Sequence, residues 1–150
     1  MLRILIGHFL VYIFLFLIIE LKIVEVIPIS LISLIIIVYY IYIGYIAAQY
    51  QTKVLSYFIL SFIGFFFFIV ALIISPNHLL TKTINSSYVW LTVDLYLAPF
   101  ETMRYLLRIK YLNRPALPTY LIEIVLLGIL PYLGRILKIK LTEKTATNSG

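Results

Sequence analysis

The sequence predicts an all-α integral membrane protein, and three observations carry that prediction. Hydrophobic residues fill 63% of the 150 positions and charged residues 12%, against about 45–50% and about 25% in an ordinary soluble domain. The mean hydropathy is +1.09. The charges gather at the ends of long apolar runs. A globule of this size has too much surface to hide so much Ile, Leu, Phe and Tyr from water. A soluble domain, a disordered chain and a disulfide scaffold are therefore excluded. The sequence has no cysteine, so it offers no thiolate metal site and no cysteine nucleophile. Its net charge of +6 sits where basic residues hold helix ends at anionic headgroups. Nucleic acid is not an expected partner.

A helix needs about 20 largely apolar residues to cross roughly 30 Å of hydrocarbon. The first run, 4–19, is free of Asp, Glu, Lys and Arg, and lengthens toward Val24 if Glu20 and Lys22 snorkel. Arg3 ahead of it fits the start of a signal peptide. Glu20-Leu21-Lys22-Ile23-Val24-Glu25 then follows without a small-residue cleavage site, so the run is expected to stay as an anchor. The second and third runs, 26–52 and 54–81, are uncharged apart from their flanks. Pro28 suits a helix first turn, and Pro76 after Ser75 is a natural stop.

The stretch 84–112 reads differently. At 100° per residue, Thr83, Ser87, Asp94, Glu101, Arg104 and Arg108 fall within about 100° of arc, away from Val89, Val93, Tyr96 and Phe100. Facing lipid at a helix centre, Asp94 would cost about 2.5–3.5 kcal/mol. The stripe must therefore face protein, water or headgroups. An amphipathic helix partly embedded in the interface is the expected form, with a fifth crossing under a covered charged face as the alternative. A fourth crossing is expected at 117–137, where Pro131 and Gly134 interrupt the far end. Glu123 lies near its start, as a carboxylate favoured by the helix dipole or as a buried functional group.

The expected architecture is thus about four transmembrane helices plus one amphipathic helix. Residues 1–141 make one polytopic domain, and the polar tail 142–150 should fray. With four crossings, Arg3, Lys53, Arg135, Lys138, Lys140 and Lys144 share one side. Lys22, Lys82, Arg104, Arg108, Lys110 and Arg114 share the other, six against six. Five crossings balance equally, so the positive-inside rule assigns no orientation.

The scattered carboxylates and two histidines form no His-Glu-x-x-His, Gly-x-Ser-x-Gly or glycine-rich phosphate loop. No catalytic residue, cofactor or metal centre is expected, and the protein is not expected to be an enzyme. His8 and His78 stand near predicted membrane boundaries, as interfacial histidines or, for His8, a haem or metal ligand. Tyr39, Tyr40, Tyr42, Tyr45 and Tyr50 form an aromatic belt or line a polar pathway. Gly44 and Ala48 make a small-xxx-small pair for close helix packing. Phe65, Phe66, Phe67 and Phe68 face every direction on their helix, and Asn85-Ser86-Ser87 matches a glycosylation sequon. Asp94, Glu101, Arg104 and Arg108 form the most informative constellation, with Glu101 reaching Arg104 at i+3 and Arg104 reaching Arg108 at i+4. It reads as a partner-docking face or ion pathway, or as a solvated face.

In the latter half, Leu97-Ala98-Pro99-Phe100-Glu101-Thr102 and Leu130-Pro131-Tyr132-Leu133-Gly134 resemble segments of VanZ-type membrane proteins. Those proteins pair a Leu-x-Pro-Phe segment after a helix with a later helix ending in Pro-Leu-Gly; here Tyr132 is inserted. The resemblance implies a stand-alone cell-envelope protein linked to glycopeptide resistance. The residues themselves point first to an accessory or structural subunit packed among other membrane subunits in the lipid bilayer. A small transporter or channel component is a further alternative. The Ile-, Phe- and Tyr-rich composition suits an AT-rich genome, hence a bacterial cytoplasmic or mitochondrial inner membrane.

Overall fold

Why each helix begins and ends is visible in its flanking residues. The structure is a computed structural model that describes residues 1–21, 28–50, 52–75, 88–106 and 117–148. Among these the chain is all-helical, with α1 (Leu2–Glu20), α2 (Ile29–Ala48), a 3-10 turn (Val54–Phe58) leading into α3 (Ile59–Ile74), α4 (Tyr88–Leu106) and α5 (Leu117–Asn148). Pro28 stands at the N-cap of α2 with φ −56°, where its missing N–H is no loss. Thr52 closes the far end by donating to the Ala47 carbonyl at 2.7 Å. α3 stops at Ile74 with Ser75 as C-cap, one residue before Pro76, because a residue preceding proline is pushed out of the α region.

Among the described residues, three helices are long and apolar enough to cross a membrane: Ile29–Ala48, Val54–Ile74 and Pro118–Thr145. Two apolar stretches, Leu2–Ile18 and Val89–Phe100, are shorter. At about 1.5 Å per residue, Leu2–Ile18 spans roughly 26 Å, just under the hydrocarbon thickness.

Close packing by small residues joins the long helices. A Cβ on Gly44 would run into the backbone of Pro131, and one on Gly134 into the backbone of Ile41 and Tyr45. Such contacts need glycine, because two helix backbones approach directly. α3 meets α5 through Ser61, whose hydroxyl donates to the Ile124 carbonyl at 2.6 Å. There, a Cβ on Gly128 would meet Ser61 and Phe58. In lipid these close contacts supply van der Waals attraction that burial of apolar surface cannot.

The contacts also fix direction. Arg3 lies over the Tyr50 ring at 3.1 Å, and Gly7 packs on Ile43, so α1 runs opposite to α2. Tyr120 packs on Phe68 and Tyr132 on Tyr57, so α5 runs opposite to α3. α4 likewise starts beside the end of α3, where the Trp90 indole donates to the Ser75 carbonyl at 2.9 Å, and reaches Tyr40 at Phe100. α4 and α5 therefore point the same way.

α4, expected either partly embedded in the interface or as a fifth crossing under a covered face, stands against α2 and α3, with Trp90, Val93, Leu97 and Phe100 buried. Its apolar side is wide enough to be covered by protein, and Val89–Phe100 is the part that packs. Residues 84–87 and 107–112 of that stretch lie outside the described residues. The interruption expected at Pro131 and Gly134 is corrected, because α5 continues through both to Asn148. Thr142, Thr145 and Thr147 each return a hydroxyl to the carbonyl four residues back, which satisfies polar groups locally along an exposed stretch.

Lys53 and Lys138 line one cleft with Arg135, and Arg3 stands on Tyr50 near the same end. An impermeant thiol reagent should therefore label Lys53→Cys and Lys140→Cys from one side of the membrane. The absence of native cysteine makes the readout clean. Labelling from opposite sides would contradict the parallel course of α2 and α5.

Candidate functional site

Placing imidazole and phenol groups inside an apolar bundle requires that they satisfy one another. α1 carries His8 and Tyr12 one turn apart, on the same face. α2 brings Tyr40 and α4 brings Tyr96. His8 Nδ1 lies 2.6 Å from the Tyr40 hydroxyl, and His8 Nε2 lies 3.4 Å from the Tyr12 hydroxyl. The Tyr12 hydroxyl donates to the Tyr96 backbone carbonyl. Tyr96 in turn donates to the Leu60 carbonyl on α3 at 2.7 Å.

Proton counting orients this network. A phenol has one O–H, and Tyr12 spends its own on the Tyr96 carbonyl, so toward His8 it can only accept. Nε2 must then carry the imidazole proton, and Nδ1 is left as acceptor for the Tyr40 O–H. Donation runs in one sense, from Tyr40 to His8 to Tyr12 to the α4 backbone. The rings pack tightly around it. His8 lies 5.0 Å from the Tyr96 ring and 5.1 Å, edge-on, from Tyr12. Phe100 sits 5.3 Å from Tyr40, and Phe67 sits 5.5 Å from Tyr96. Four helices are tied by side chains whose polar atoms face one another.

A second polar contact lies nearer the start of α4. The Tyr120 hydroxyl donates to Asp94 Oδ1 at 2.7 Å, within an aromatic group of Phe68, Trp90 and Tyr120. Asp94 is half-buried and faces protein. Glu123 is 3% exposed and lies six positions beyond Leu117, the first residue of α5, past the first turn where a helix dipole acts.

The charged stripe is only partly described. Glu101 and Arg104 belong to the last turns of α4, but their side chains lie outside the described residues, and Arg108 lies outside them altogether. Gly44 sits at the α2–α5 crossing. Ala48 is half-buried beside the cleft at the bundle end, and Ala47 is the alanine that faces inward. The tyrosines of α2 and the turn after it divide: Tyr40 is buried, Tyr39 and Tyr45 are half-buried, and Tyr42 and Tyr50 are exposed. His8 is buried within the protein. His78 and the sequon at Asn85 lie outside the described residues.

The His8–Tyr12–Tyr40–Tyr96 network is the feature that residue-type reasoning passed over. A usable signal did exist. Ser33, Gly44 and Ala47 are three of the five small residues of α2, and Tyr40 falls on their stripe at helical spacing, as Ile36 does. That stripe is the buried one. What no spacing could supply is that His8, from another helix, meets it.

Fold and site together describe a helical chain with three helices fit to cross a membrane and a hydrogen-bonded polar layer between its helices. No family model, no curated protein and no solved structure matches the chain.

Proposed function

We propose that this protein is a non-catalytic, polytopic membrane protein that serves as an accessory or structural subunit in a larger membrane complex. The observation that carries the reading is how the interior polar groups are used. His8, Tyr12, Tyr40, Tyr96, Ser61 and Tyr120 are each bonded to a group on another helix, so they serve as ties that hold a scaffold. Intramembrane polar groups default to function, and here the function they support is cohesion. The partnered part of the reading rests on the sequence of α4, whose final turns carry Glu101 and Arg104 after the apolar Val89–Phe100. The membrane is bacterial cytoplasmic or mitochondrial inner, from composition.

The test is extraction in a mild detergent followed by native mass measurement. A stable hetero-complex containing this chain is the expected result; a lone monomer would overturn the subunit reading. A second reading is a stand-alone envelope protein of the VanZ kind, linked to glycopeptide resistance. It draws on the convergence of the two motif segments on one part of α2: Phe100 packs on Tyr40, and Pro131 and Gly134 pack on Gly44, Ile41 and Tyr45. A lone monomer whose loss lowers glycopeptide tolerance would favour it.

A further inference from the structure

At the end of the bundle where α2 stops, the last turn of α2, the link into the 3-10 turn and the second half of α5 line an open cleft of about 680 Å³. Lys53, Arg135 and Lys138 line it together with the carboxylate of Glu143, three cations against one anion. Arg135 and Lys138, three residues apart, share a face of α5. Each is steadied by an aromatic ring, Arg135 over Tyr132 at 5.9 Å and Lys138 over Tyr45 at 5.0 Å. Val54 and Ile139 line the same cleft and are exposed, so one lip is apolar. The Tyr57 hydroxyl is buried without a hydrogen-bond partner among the described residues, and the Tyr57 ring lies 6.4 Å from that of Tyr132, over which Arg135 stands.

We propose that this cleft binds the headgroup of an anionic phospholipid. The phosphate lies against Arg135, Lys53 and Lys138, and an acyl chain leaves over Val54 and Ile139. Charge complementarity selects the headgroup: a net excess of two positive charges favours a net-negative lipid over a zwitterionic one that carries the same phosphate. Location selects a lipid over a soluble phosphate. The cleft opens where Ile29–Ala48 ends and Val54–Ile74 begins, which is headgroup level for helices of crossing length.

The proposal rests on the chain being membrane-embedded and is independent of the subunit reading. Its test is native mass spectrometry of the detergent-purified protein, titrated with phosphatidylglycerol, with phosphatidylcholine and separately with inorganic phosphate. Wild type should retain phosphatidylglycerol over phosphatidylcholine by about tenfold or more. The Lys53→Gln, Lys138→Gln double variant should lose most of that preference while its thermal unfolding in detergent stays unchanged. Arg135→Gln reads the same site independently, should the double variant not fold. Equal retention of the two lipids, or an unchanged preference in every folded variant, overturns the site. Saturable binding of inorganic phosphate without lipid preference overturns the lipid assignment. Release of the protein from membranes by alkaline wash would remove the membrane reading itself, a different failure from detergent-dependent extraction without lipid selectivity.

Discussion

Replacing Gly44 by valine should force α2 away from α5 and destabilise the bundle by about 3 kcal/mol, the upper part of the usual overpacking range. The reason is what a side chain would meet. At Gly44 it is the Pro131 carbonyl and Cα, and at Gly134 it is the Ile41 carbonyl and the Tyr45 amide nitrogen. Backbone cannot rotate aside as a side chain does, so even Gly44→Ala and Gly134→Ala should be clearly destabilising. Gly7→Ala is the informative contrast, because there the obstacle is the side chain of Ile43, whose flexible end can shift. Thermal unfolding in detergent across the four variants measures this. If both alanine variants at the crossing stayed within about 0.5 kcal/mol of wild type, the usual span for inconsequential substitutions, the backbone contact would be refuted.

Substitution of His8 by phenylalanine should cost about 1–3 kcal/mol, because it strands the buried Tyr40 hydroxyl. Tyr40→Phe should cost a similar amount by leaving Nδ1 of His8 without its donor. The pair removed together should cost less than the sum. The expected coupling is about 0.6–1.7 kcal/mol, the range measured for interhelical hydrogen bonds in lipid. A double-mutant cycle on unfolding supplies the number, and strictly additive costs would show that the two side chains do not depend on each other. The direction of donation gives a further distinction. Tyr12→Phe removes the acceptor for the Nε2 proton and the tie to the α4 carbonyl at once, so it should loosen α4 from α1 as well.

Some of this was legible in the residues alone. Of the three clean runs, the second and third, with the start at Pro28 and the stop before Pro76, reappear as Ile29–Ala48 and Val54–Ile74; the third helix of crossing length, Pro118–Thr145, is the one expected at 117–137, and the first run forms the shorter Leu2–Ile18. The glycine at position 44 was legible as a packing residue because small side chains let helices approach, but its counterpart, Pro131, was not. Proline inside an apolar run reads as an interruption. It stays within α5 because tight neighbours can compensate a broken backbone ladder in a membrane helix.

Periodicity placed Asp94 on a polar stripe and required it to face something other than lipid; only the structure supplies Tyr120 as the partner. Periodicity was also compatible with α4 lying flat in the interface or standing among its neighbours. That choice depends on whether another surface covers Trp90, Val93, Leu97 and Phe100, which is not a property of α4.

By itself, the sequence determined that the chain has runs long and apolar enough to cross a membrane, because the hydrophobic excess and the uncharged run lengths are local quantities that no partner can alter. It also determined most helix boundaries, through proline and charge. The tertiary structure alone decided which tyrosine is exposed and which is interior. It likewise decided that a histidine near the chain's start is buried, and that Lys53, Arg135 and Lys138 share one cleft. Each of those depends on residues 32 to more than 80 positions apart in the chain meeting across helix faces, and the physical terms that bring them together, close backbone approach and mutual satisfaction of buried polar groups, are pairwise. A residue's own chemistry says that it needs a partner; only the packed bundle says which one it has.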